Sequence, residues 1–478
     1  MKYTAINIGP IVSTLGMARK PGELWAASYL FSHLMKCIYQ AADKRGLDII
    51  SPAKPENDKS EVGLYPDRIF IKGTFDAEEV LHDALGVFFK DLSENDPTNN
   101  LPDLNYFNLM TTFCDEEKES LAIGSLNHQL DVLELCNYAK ENNAMETIYK
   151  IISKEGNASL YKFATGEKLS FESIEEIAKV GQSHDNKKSH FRYFCVVQAD
   201  GDNIGKTISN KGLEDGNAKT ISKELVKFGS TATNLIKNFG GLPIYAGGDD
   251  LLFIAPVIGK DGSHIFNLLD DLENVAFKEV HDLVGKLNLE DDEGKVIEAS
   301  LSFGVSITYH KYPLYEALET ARKLLFEKAK DIKEKKAIAW SLRKHSGGTF
   351  EATFSRKNSN LWSQFIDLIK ATTDDETVSA IAQKIRQEEA LVDVVLESDN
   401  QKDRLDALFE KVLEFDNSKK AYFDAVKAIM PTLYEMAGRK EIDNEGKEKD
   451  DKENPFTKAL YCLLRTAKFI KGEDLHDE

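Results

Sequence analysis

The sequence predicts an α+β protein with two ferredoxin-like domains of β-α-β-β-α-β order, a helical region between them and a C-terminal helical bundle. Three observations support this fold class. Residues 191–350 alternate strand and helix patterns in that order, and residues 1–100 repeat the order in degraded form. From residue 351 onward the helical spacing of apolar residues dominates, whereas residues 101–190 have the pattern of a mostly helical linker domain.

The composition is that of a folded protein with several domains. The chain has 478 residues, of which 42% are hydrophobic and 29% are charged. Its net charge of −19 argues against a broad basic surface, so any contact with nucleic acid is expected to be local or shared with partner subunits. The sequence has no apolar run long enough for a membrane span and no export signal, so no membrane association is expected.

The cysteines are scattered and never form a C-x-x-C pair, so neither a disulfide framework nor a zinc ribbon is predicted. This usage fits a reducing cytoplasm best. The five cysteines are Cys37, Cys114, Cys136, Cys195 and Cys462.

The first predicted domain begins with a strand at Tyr3–Gly9 and a helix at Ala18–Ala42. Two further strands, Leu47–Ile50 and Arg68–Ile71, are joined by a polar loop, and Ala77–Leu92 resumes the helical spacing. This order matches the first five elements of a ferredoxin-like domain.

The second predicted domain has the clearest pattern in the chain. Its elements are a strand at Phe191–Gln198, a helix at Ala218–Phe239, strands at Leu242–Ala246 and Leu251–Ala255, a helix at Ile265–Leu287, a strand at Ala299–Tyr309, a helix at Leu314–Lys330 and a strand at Ala337–Leu342. Only four residues separate the second and third strands, which predicts a β-hairpin. A polar run at 183–189 predicts a linker before this domain, and a charged run at 441–453 predicts a flexible loop.

Three carboxylates are expected to meet in the second domain. Asp249 and Asp250 occupy the hairpin turn, and Asp200 ends the neighbouring strand. Carboxylates held so close repel one another unless hard cations neutralise them. Two magnesium or manganese ions suit such oxygen ligands and stabilise both oxygens of a phosphoryl displacement. Gly247 and Gly248 leave room for phosphates and metals to approach the backbone.

A glycine-containing segment after the first strand of this domain predicts a triphosphate site. Gly201–Lys206 lies between strand and helix, where backbone N–H groups are free to bind phosphate. Lys330 follows a later helix and is expected to reach the phosphates, although a lysine there also pairs with the helix dipole. A GGDD turn alone, or a DGDN segment alone, is often structural. Both at matching strand ends of one domain favour a functional site.

At these residues the sequence resembles the large, palm-containing subunit of type III CRISPR effector complexes, most closely the Cmr branch. The resemblance extends along the chain. It is carried by Ile6–Pro10, Ala18–Lys20, Glu23–Leu30, Asp200–Gly205, Tyr245–Leu251, Ser302–Ile307 and Ala459–Arg465.

The resemblance implies an enzyme that works with other complex subunits, crRNA and target RNA. It uses ATP to make a second messenger, either a cyclic oligoadenylate or an AMP conjugate of S-adenosylmethionine. Asp249 and Asp250 are the expected catalytic residues, and Asp200 and Gly201 join them in binding two Mg²⁺ or Mn²⁺ ions. The expected nucleotide-binding residues are Asp202, Asn203, Ile204, Gly205, Lys206, Gly247, Gly248, Ser302 and Lys330.

Two departures from the resembled family change what is expected. The first-palm signature starts almost at Met1, so no HD nuclease domain and no DNA cleavage are expected. The zinc-binding cysteine cluster of many relatives is missing, so no zinc is expected. Two alternative functions remain open: a free-standing cyclase related to the GGDEF enzymes, and a catalytically silent scaffold subunit.

The acceptor is expected to bind near Asp67 in the first domain. The segment Leu64–Arg68 corresponds to the GGDD hairpin but has no paired carboxylates. A single carboxylate suits a cationic acceptor, which tilts the expectation slightly toward an AMP conjugate. An Asp beside an Arg at a strand entrance is also common as a simple surface ion pair.

Overall fold

The protein is described by a computed structural model with two β-sheets and many helices. The described residues are 1–55, 62–95, 104–135, 142–169, 171, 173–183, 188–357, 359–373, 377–411, 419–437 and 455–472. Most of the predicted linker at 183–189 and all of the charged run at 441–453 lie outside them. Among the described residues, no helix combines the length and apolarity needed to cross a lipid bilayer.

The first palm domain has a four-stranded antiparallel sheet in the order β2-β3-β1-β4. Its elements are β1 (Lys2–Gly9), α1 (Ile11–Leu15), α2 (Pro21–Lys44), β2 (Asp48–Ser51), β3 (Arg68–Lys72), α3 (Ala77–Asn95) and β4 (Asn108–Asp115). The predicted domain boundary at residue 100 is therefore corrected, because β4 pairs with β1 along its whole length.

A helical segment follows the first palm. It consists of α4 (Glu119–Glu134), α5 (Asn142–Ile152), α6 (Lys154–Thr165) and α7 (Ile174–Ala178). The helix α7 begins with a capping box, in which Ser173 and Glu176 each accept a backbone N–H of the other residue.

The second palm domain has a six-stranded sheet in the order β10-β9-β8-β5-β7-β6. Its elements are β5 (Tyr193–Asp202), α8 (Ile204–Ile208), α9 (Asn217–Phe239), β6 (Leu242–Gly247), β7 (Asp250–Pro256), α10 (Ile265–Asp271), α11 (Lys278–Leu287), β8 (Ser300–Tyr309), α12 (Leu314–Lys323), β9 (Ala337–Arg343) and β10 (Thr349–Ser355). Neighbouring strands are antiparallel except β8 and β9, which are parallel.

The structure differs from the predicted second palm in two places. Strand β10 was not predicted, and the predicted boundary at residue 350 falls inside it. Short π-helical turns interrupt both long helices predicted here, after α10 at Leu272–Ala276 and after α12 at Leu324–Ala329. The second of these turns ends directly before Lys330, and such turns are frequent at functional sites.

The C-terminal region is helical, as predicted. It consists of α13 (Ser359–Ala371), α14 (Thr377–Gln387), α15 (Glu389–Leu396), α16 (Gln401–Lys411), α17 (Lys420–Ala437) and α18 (Pro455–Lys471). The last helix packs on β10 and covers one face of the second sheet, where Trp340 donates to Thr466 Oγ1 at 3.2 Å.

The two palms pack face to face, and one helix of each palm contacts the sheet of the other. The helix α2, buried over most of its length, contacts β6 of the second sheet, and α9 contacts β2 of the first sheet. Alternate residues of β5 face opposite cores: Phe194 and Val196 join the cluster that contains Trp25, whereas Cys195 and Val197 face the other side. The predicted α+β class with two ferredoxin-like domains is confirmed.

Candidate active site

Strand pairing brings the three predicted carboxylates together. Strands β5 and β7 are antiparallel, with Ala199 opposite Leu251. Continued by one residue, the register sets Asp200 opposite Asp250 at the edge where the GGDD turn lies. This meeting is expected from the sequence, because Asp200 ends one strand and the GGDD turn joins the two strands of the hairpin beside it.

The GGDD turn depends on both of its glycines. Gly247 pairs with Asp250, so Gly248 and Asp249 form a two-residue turn, and Gly248 has a φ of +66°. A glycine with positive φ at the first central position is typical of hairpin turns of type II′. A Cβ on Gly247 would lie 2.4 Å from the hydroxyl of Tyr245, so only glycine fits there.

Gly201 allows Asp249 to approach the neighbouring strand. A Cβ built on Gly201 would lie 2.6 Å from both Cβ and Oδ2 of Asp249. The absence of a side chain at Gly201 therefore lets the Asp249 carboxylate lie directly against the β5 backbone.

The electrostatics of this cluster are those of carboxylates held too close together. Burial, and then the neighbouring Asp200, raise the pKa of Asp249 to about 7. Burial, followed by Asp249, Asp200 and Asp67, raises the pKa of Asp250 well above its usual range. Burial also raises the pKa of Asp200, although Lys330 opposes this shift. The side chains of Asp249 and Asp250 are half-buried, so ligands can reach them.

Lys330 is the cation that contacts this cluster within the described residues. Its Nζ forms an ion pair with Asp200 and donates to Asp202 Oδ1 at 2.8 Å. It also donates to the backbone oxygens of Asp200 and Gly201, at 3.1 and 3.0 Å. Burial alone would lower the pKa of Lys330, but Asp200 and Asp202 outweigh burial and the pKa is raised.

Two residues predicted to contact a nucleotide, Asp202 and Ser302, have buried side chains. Asp202 is almost fully buried and accepts from Ser300, Ser302, Lys330 and the backbone N–H of Lys336. Ser302 is fully buried, and its hydroxyl also accepts the N–H of Ala337. Both side chains therefore join β5 to β8 and β9 and position Lys330, and their burial leaves neither exposed to a ligand.

The predicted phosphate loop is also shorter than expected. Strand β5 continues to Asp202, pairing with β8, and α8 begins at Ile204. Asn203 alone connects them, with a φ of +65°, and its side chain donates to the backbone oxygen of Glu298. Asn203 and Lys206 line a cavity of about 980 Å³ whose lining includes none of the three carboxylates.

Asp67 of the first palm lies near the carboxylates of the second. The backbone N–H of Ala246 donates to the oxygen of Gly63 at 3.1 Å, which ties the segment before Asp67 to the GGDD hairpin. Asp67 raises the pKa of both Tyr245 and Asp250, after burial in each case. Arg68, its neighbour, forms ion pairs with Asp131 and Glu134 of α4 and is thereby directed away from the GGDD turn.

Comparison with known proteins identifies the family. The model of the Cas10/Cmr2 second palm domain matches residues 193–339, and that of the CRISPR-associated protein Cmr2 N-terminal domain matches residues 3–129. The chain belongs to the Cas10/Cmr2 family. The resemblance seen in the sequence is thus confirmed, and the palm that carries GGDD is the second palm of this family.

A relative and two solved structures illustrate the similarity. The CRISPR system Cmr subunit Cmr2 of Pyrococcus furiosus is 31% identical over 184 residues, which cover 33% of this chain and only 19% of that protein. A chain of the type III-B Cmr-beta complex in the apo state matches 98% of this chain and 82% of its own length, with a TM-score of 0.58 and 10% identity. The Csm1–Csm4 cassette in complex with pppApA matches over 99% of this chain and 69% of its own, with a TM-score of 0.53 and 13% identity.

Sequence reasoning missed several residues of the site in this Cas10/Cmr2 chain. Tyr245 packs over Gly247, and Lys335, like Lys330, opposes the rise that burial causes in the pKa of Asp200. Lys335 and Lys336 both have positive φ values, 56° and 48°, and Ser355 and Arg356 donate to their backbone oxygens. The run of lysines before β9 was the available signal for Lys335, but nothing in the sequence indicated its left-handed backbone.

The donor set of the site fits hard divalent cations. Asp200, Asp249 and Asp250 offer carboxylate oxygens, and Gly201 offers a backbone oxygen on the same edge. Oxygen ligands of this kind suit Mg²⁺ and Mn²⁺. Burial and mutual repulsion raise the pKa values of Asp249 and Asp250, and a bound cation would lower them by stabilising the ionised carboxylates.

Proposed function

We propose that this chain is the nucleotidyl transferase subunit of a type III CRISPR effector complex and that target RNA activates it to transfer adenylyl groups from ATP. The observation that carries the proposal is the convergence of Asp200, Asp249 and Asp250 at the end of β5 and β7. Carboxylates held this close together, with raised pKa values, are typical of sites for metal-dependent phosphate chemistry.

The reaction is attack of an acceptor hydroxyl or other nucleophile on the α-phosphate of ATP, with pyrophosphate leaving. Two divalent ions held by the three carboxylates and Gly201 would stabilise the attacking and leaving oxygens. Gly248 faces open space at the turn, Gly201 lets Asp249 approach the β5 backbone, and Lys330 supplies a fixed positive charge on the β5 side. Asn203, Gly205 and Lys206 lie at the start of α8, where they would contact phosphates.

The assembly follows from the family. Relatives with this fold are subunits of the Cmr-beta complex and of the Csm1–Csm4 cassette. We infer that this chain works with other subunits, crRNA and target RNA in a complex of the same type. A net charge of −19 supports shared rather than independent binding of RNA.

The acceptor has two candidates, each supported by one observation. The Csm1–Csm4 cassette holds pppApA, which favours a second adenylate as acceptor and an oligoadenylate as product. The closeness of Asp67 to Asp250 instead favours a cationic acceptor, such as S-adenosylmethionine. Mass spectrometry of the product formed from ATP, with and without S-adenosylmethionine, separates them. Asp67→Asn should weaken use of a cationic acceptor but leave ATP binding nearly unchanged, and equal losses of both, or of neither, would remove Asp67 from the site.

The function itself is tested by Asp249→Ala combined with Asp250→Ala in the reconstituted complex. Pyrophosphate release from ATP in the presence of target RNA should fall to background, whereas assembly, measured by size-exclusion chromatography, should be unchanged because the hairpin lies at a sheet edge. The matched control is Glu279→Ala with Asp282→Ala, two acidic residues of α11 of which the first is exposed and the second half-buried. Full activity in the GGDD variant would refute the proposal, and activity of the isolated chain without RNA would favour a free-standing cyclase.

A further inference from the structure

Three side chains able to bind a metal meet in the first palm, away from the acidic cluster. His33 and Cys37 are four residues apart on α2 and therefore lie on one face of that helix. Asp91 lies on α3, which packs against α2. His33 Nε2 is 3.1 Å from Asp91 Oδ2 and 3.9 Å from Cys37 Sγ, and all three donor atoms lie within 4.8 Å of one another.

We propose that His33, Cys37 and Asp91 bind one zinc ion that fastens α2 to α3. Tetrahedral zinc, with bonds of about 2.0 Å to nitrogen and about 2.3 Å to sulfur, separates those two ligand atoms by about 3.6 Å. The same geometry separates a nitrogen and a carboxylate oxygen by about 3.4 Å. The two separations in the structure differ from these values by only a few tenths of an ångström.

The chemistry of the three donors selects zinc over the ions suited to the second palm. One sulfur, one imidazole nitrogen and one carboxylate oxygen form a mixed set that Zn²⁺ accepts and that Mg²⁺ does not favour. On binding, the Cys37 thiol loses its proton to solvent and its sulfur bonds to zinc, while His33 binds through Nε2 and keeps its proton on Nδ1. A thiolate and a carboxylate then balance the two charges of the ion.

The surroundings of His33 direct its Nε2 atom toward Cys37 and Asp91. The ring stacks on Tyr29 and lies against Phe88 and Phe163, with centroid distances of 5.8, 5.8 and 5.3 Å. Its Nδ1 is buried without a hydrogen-bond partner among the described residues, so Nε2 makes the polar contacts of the ring. Cys37 is also buried, whereas 29% of the Asp91 side chain is exposed, which gives an ion and a fourth, water ligand access from solvent.

This site is independent of the cysteine cluster whose absence led the sequence analysis to expect no zinc. It also lies outside the proposed catalytic centre, whose donors are oxygens of the second palm. Its expected role is to hold together the two helices that cover the first sheet, so its test measures bound metal.

The test is the metal content of the full-length chain, purified without chelators from zinc-supplemented cells. Elemental analysis should find about one zinc per chain in the wild type. The zinc should be lost from Cys37→Ser and kept in the control Cys114→Ser, a buried cysteine of the same domain whose Sγ contacts only a backbone oxygen in the described hydrogen bonds. The variant Asp91→Asn, with its partly exposed side chain, provides a second measurement should Cys37→Ser fold poorly, and its zinc content should also fall.

Cobalt provides a spectroscopic readout of the ligands. After zinc is replaced by Co²⁺, the folded wild type should show a near-ultraviolet sulfur-to-cobalt charge-transfer band, which Cys37→Ser should lack and Cys114→Ser should retain. Less than about 0.1 zinc per chain with no cobalt band in the folded wild type would overturn the proposal and leave His33 and Asp91 as a hydrogen-bonded pair only. Equal zinc in the wild type and Cys37→Ser, or a different metal at the three residues, would also overturn it.

Discussion

Lys330 forms ion pairs with two carboxylates that lie in different environments. It contacts Asp200, which faces the site, and Asp202, which is buried beneath it. The two aspartates are two residues apart on β5, so they point to the same side of the sheet. One lysine can therefore stabilise the interior of the palm and the edge of the site at once.

The first prediction at this scale concerns the loss of that lysine. Lys330→Met removes the positive charge beside the buried Asp202, so the free energy of unfolding should fall by about 2–4 kcal/mol. Urea denaturation measures the change. The control Lys328→Met removes an exposed pair with Glu351 and should cost no more than about 0.5 kcal/mol. Equal effects of both substitutions would show that Lys330 has no special role in stability.

A second prediction concerns the space beside Asp249. Gly201→Ala places a Cβ 2.6 Å from the Asp249 side chain, which must move. A displacement of about 1 Å at a catalytic group can cost about 10²-fold in rate, so pyrophosphate release should fall by at least about tenfold. Gly285→Ala adds a methyl group that meets nothing within 4 Å and should leave the rate unchanged. A fully active Gly201→Ala variant would mean that Asp249 does not need this position.

Residue by residue, the sequence indicated which carboxylates converge but not which side chains the fold would bury. Asp200 and Asp202 look alike in the sequence, and both were assigned to the site. Asp202 is buried because Ser300 and Ser302 of β8 pair across it, and that pairing joins residues about a hundred positions apart. No local pattern reports such a contact, so the nucleotide-binding roles predicted for Asp202 and Ser302 did not account for the burial of both side chains.

Among the elements, α18 has a defined role in covering the second sheet. Trp340 of β9 is fully buried and donates to Thr466 of α18, and Phe469 packs edge-to-face on Tyr193 of β5. A C-terminal helix thereby completes the core of a palm whose strands begin more than two hundred residues earlier.

The prediction for this helix is a loss of stability on Thr466→Val. The substitution keeps the shape of the side chain but leaves the buried Trp340 N–H without its acceptor, which should cost about 1–3 kcal/mol. Thr466→Ser retains the hydroxyl and should cost less. Thermal unfolding measures the melting temperatures of both variants. Equal melting temperatures for Thr466→Val and Thr466→Ser would show that the hydrogen bond is dispensable.

The two strands missed from the sequence are both edge strands. Strands β4 and β10 lie at the ends of their sheets, and their residues are mostly exposed or half-buried. Edge strands face solvent on more sides and therefore lack the continuous apolar runs from which β5, β7 and β8 were predicted. The central strands and the GGDD hairpin were predicted to within a few residues because burial imposes a strong pattern on them.

Across the whole molecule, the palms form one packed unit, with α2 between their sheets. Trp25 of α2 is fully buried in the cluster that also contains Ile244 and Leu252 of the second sheet. The repeated order of elements in the sequence predicted two palms. The contacts of α2 and α9 with the opposite sheets could not be predicted, since they join surfaces that are far apart in the chain.

The prediction at this scale is that the palms lose stability together. Trp25→Ala removes a large buried ring and should cost about 3–5 kcal/mol. Hydrogen–deuterium exchange should then increase in β7 of the second palm as well as in β1 of the first. Phe113→Ala, a change at a largely exposed ring of β4, should alter neither strand. Increased exchange confined to the first palm would mean that the two domains unfold independently.

The most direct test of the proposed chemistry is the fate of the ATP phosphates in the assembled complex with target RNA. ATP labelled at the α- or γ-phosphate distinguishes transfer from hydrolysis. The account predicts that the α-label enters a product larger than AMP and that the γ-label leaves entirely as pyrophosphate. Both outcomes should be lost in the Asp249→Ala, Asp250→Ala variant. Release of the γ-label as inorganic phosphate, or an unchanged product from that variant, would contradict adenylyl transfer at the GGDD site.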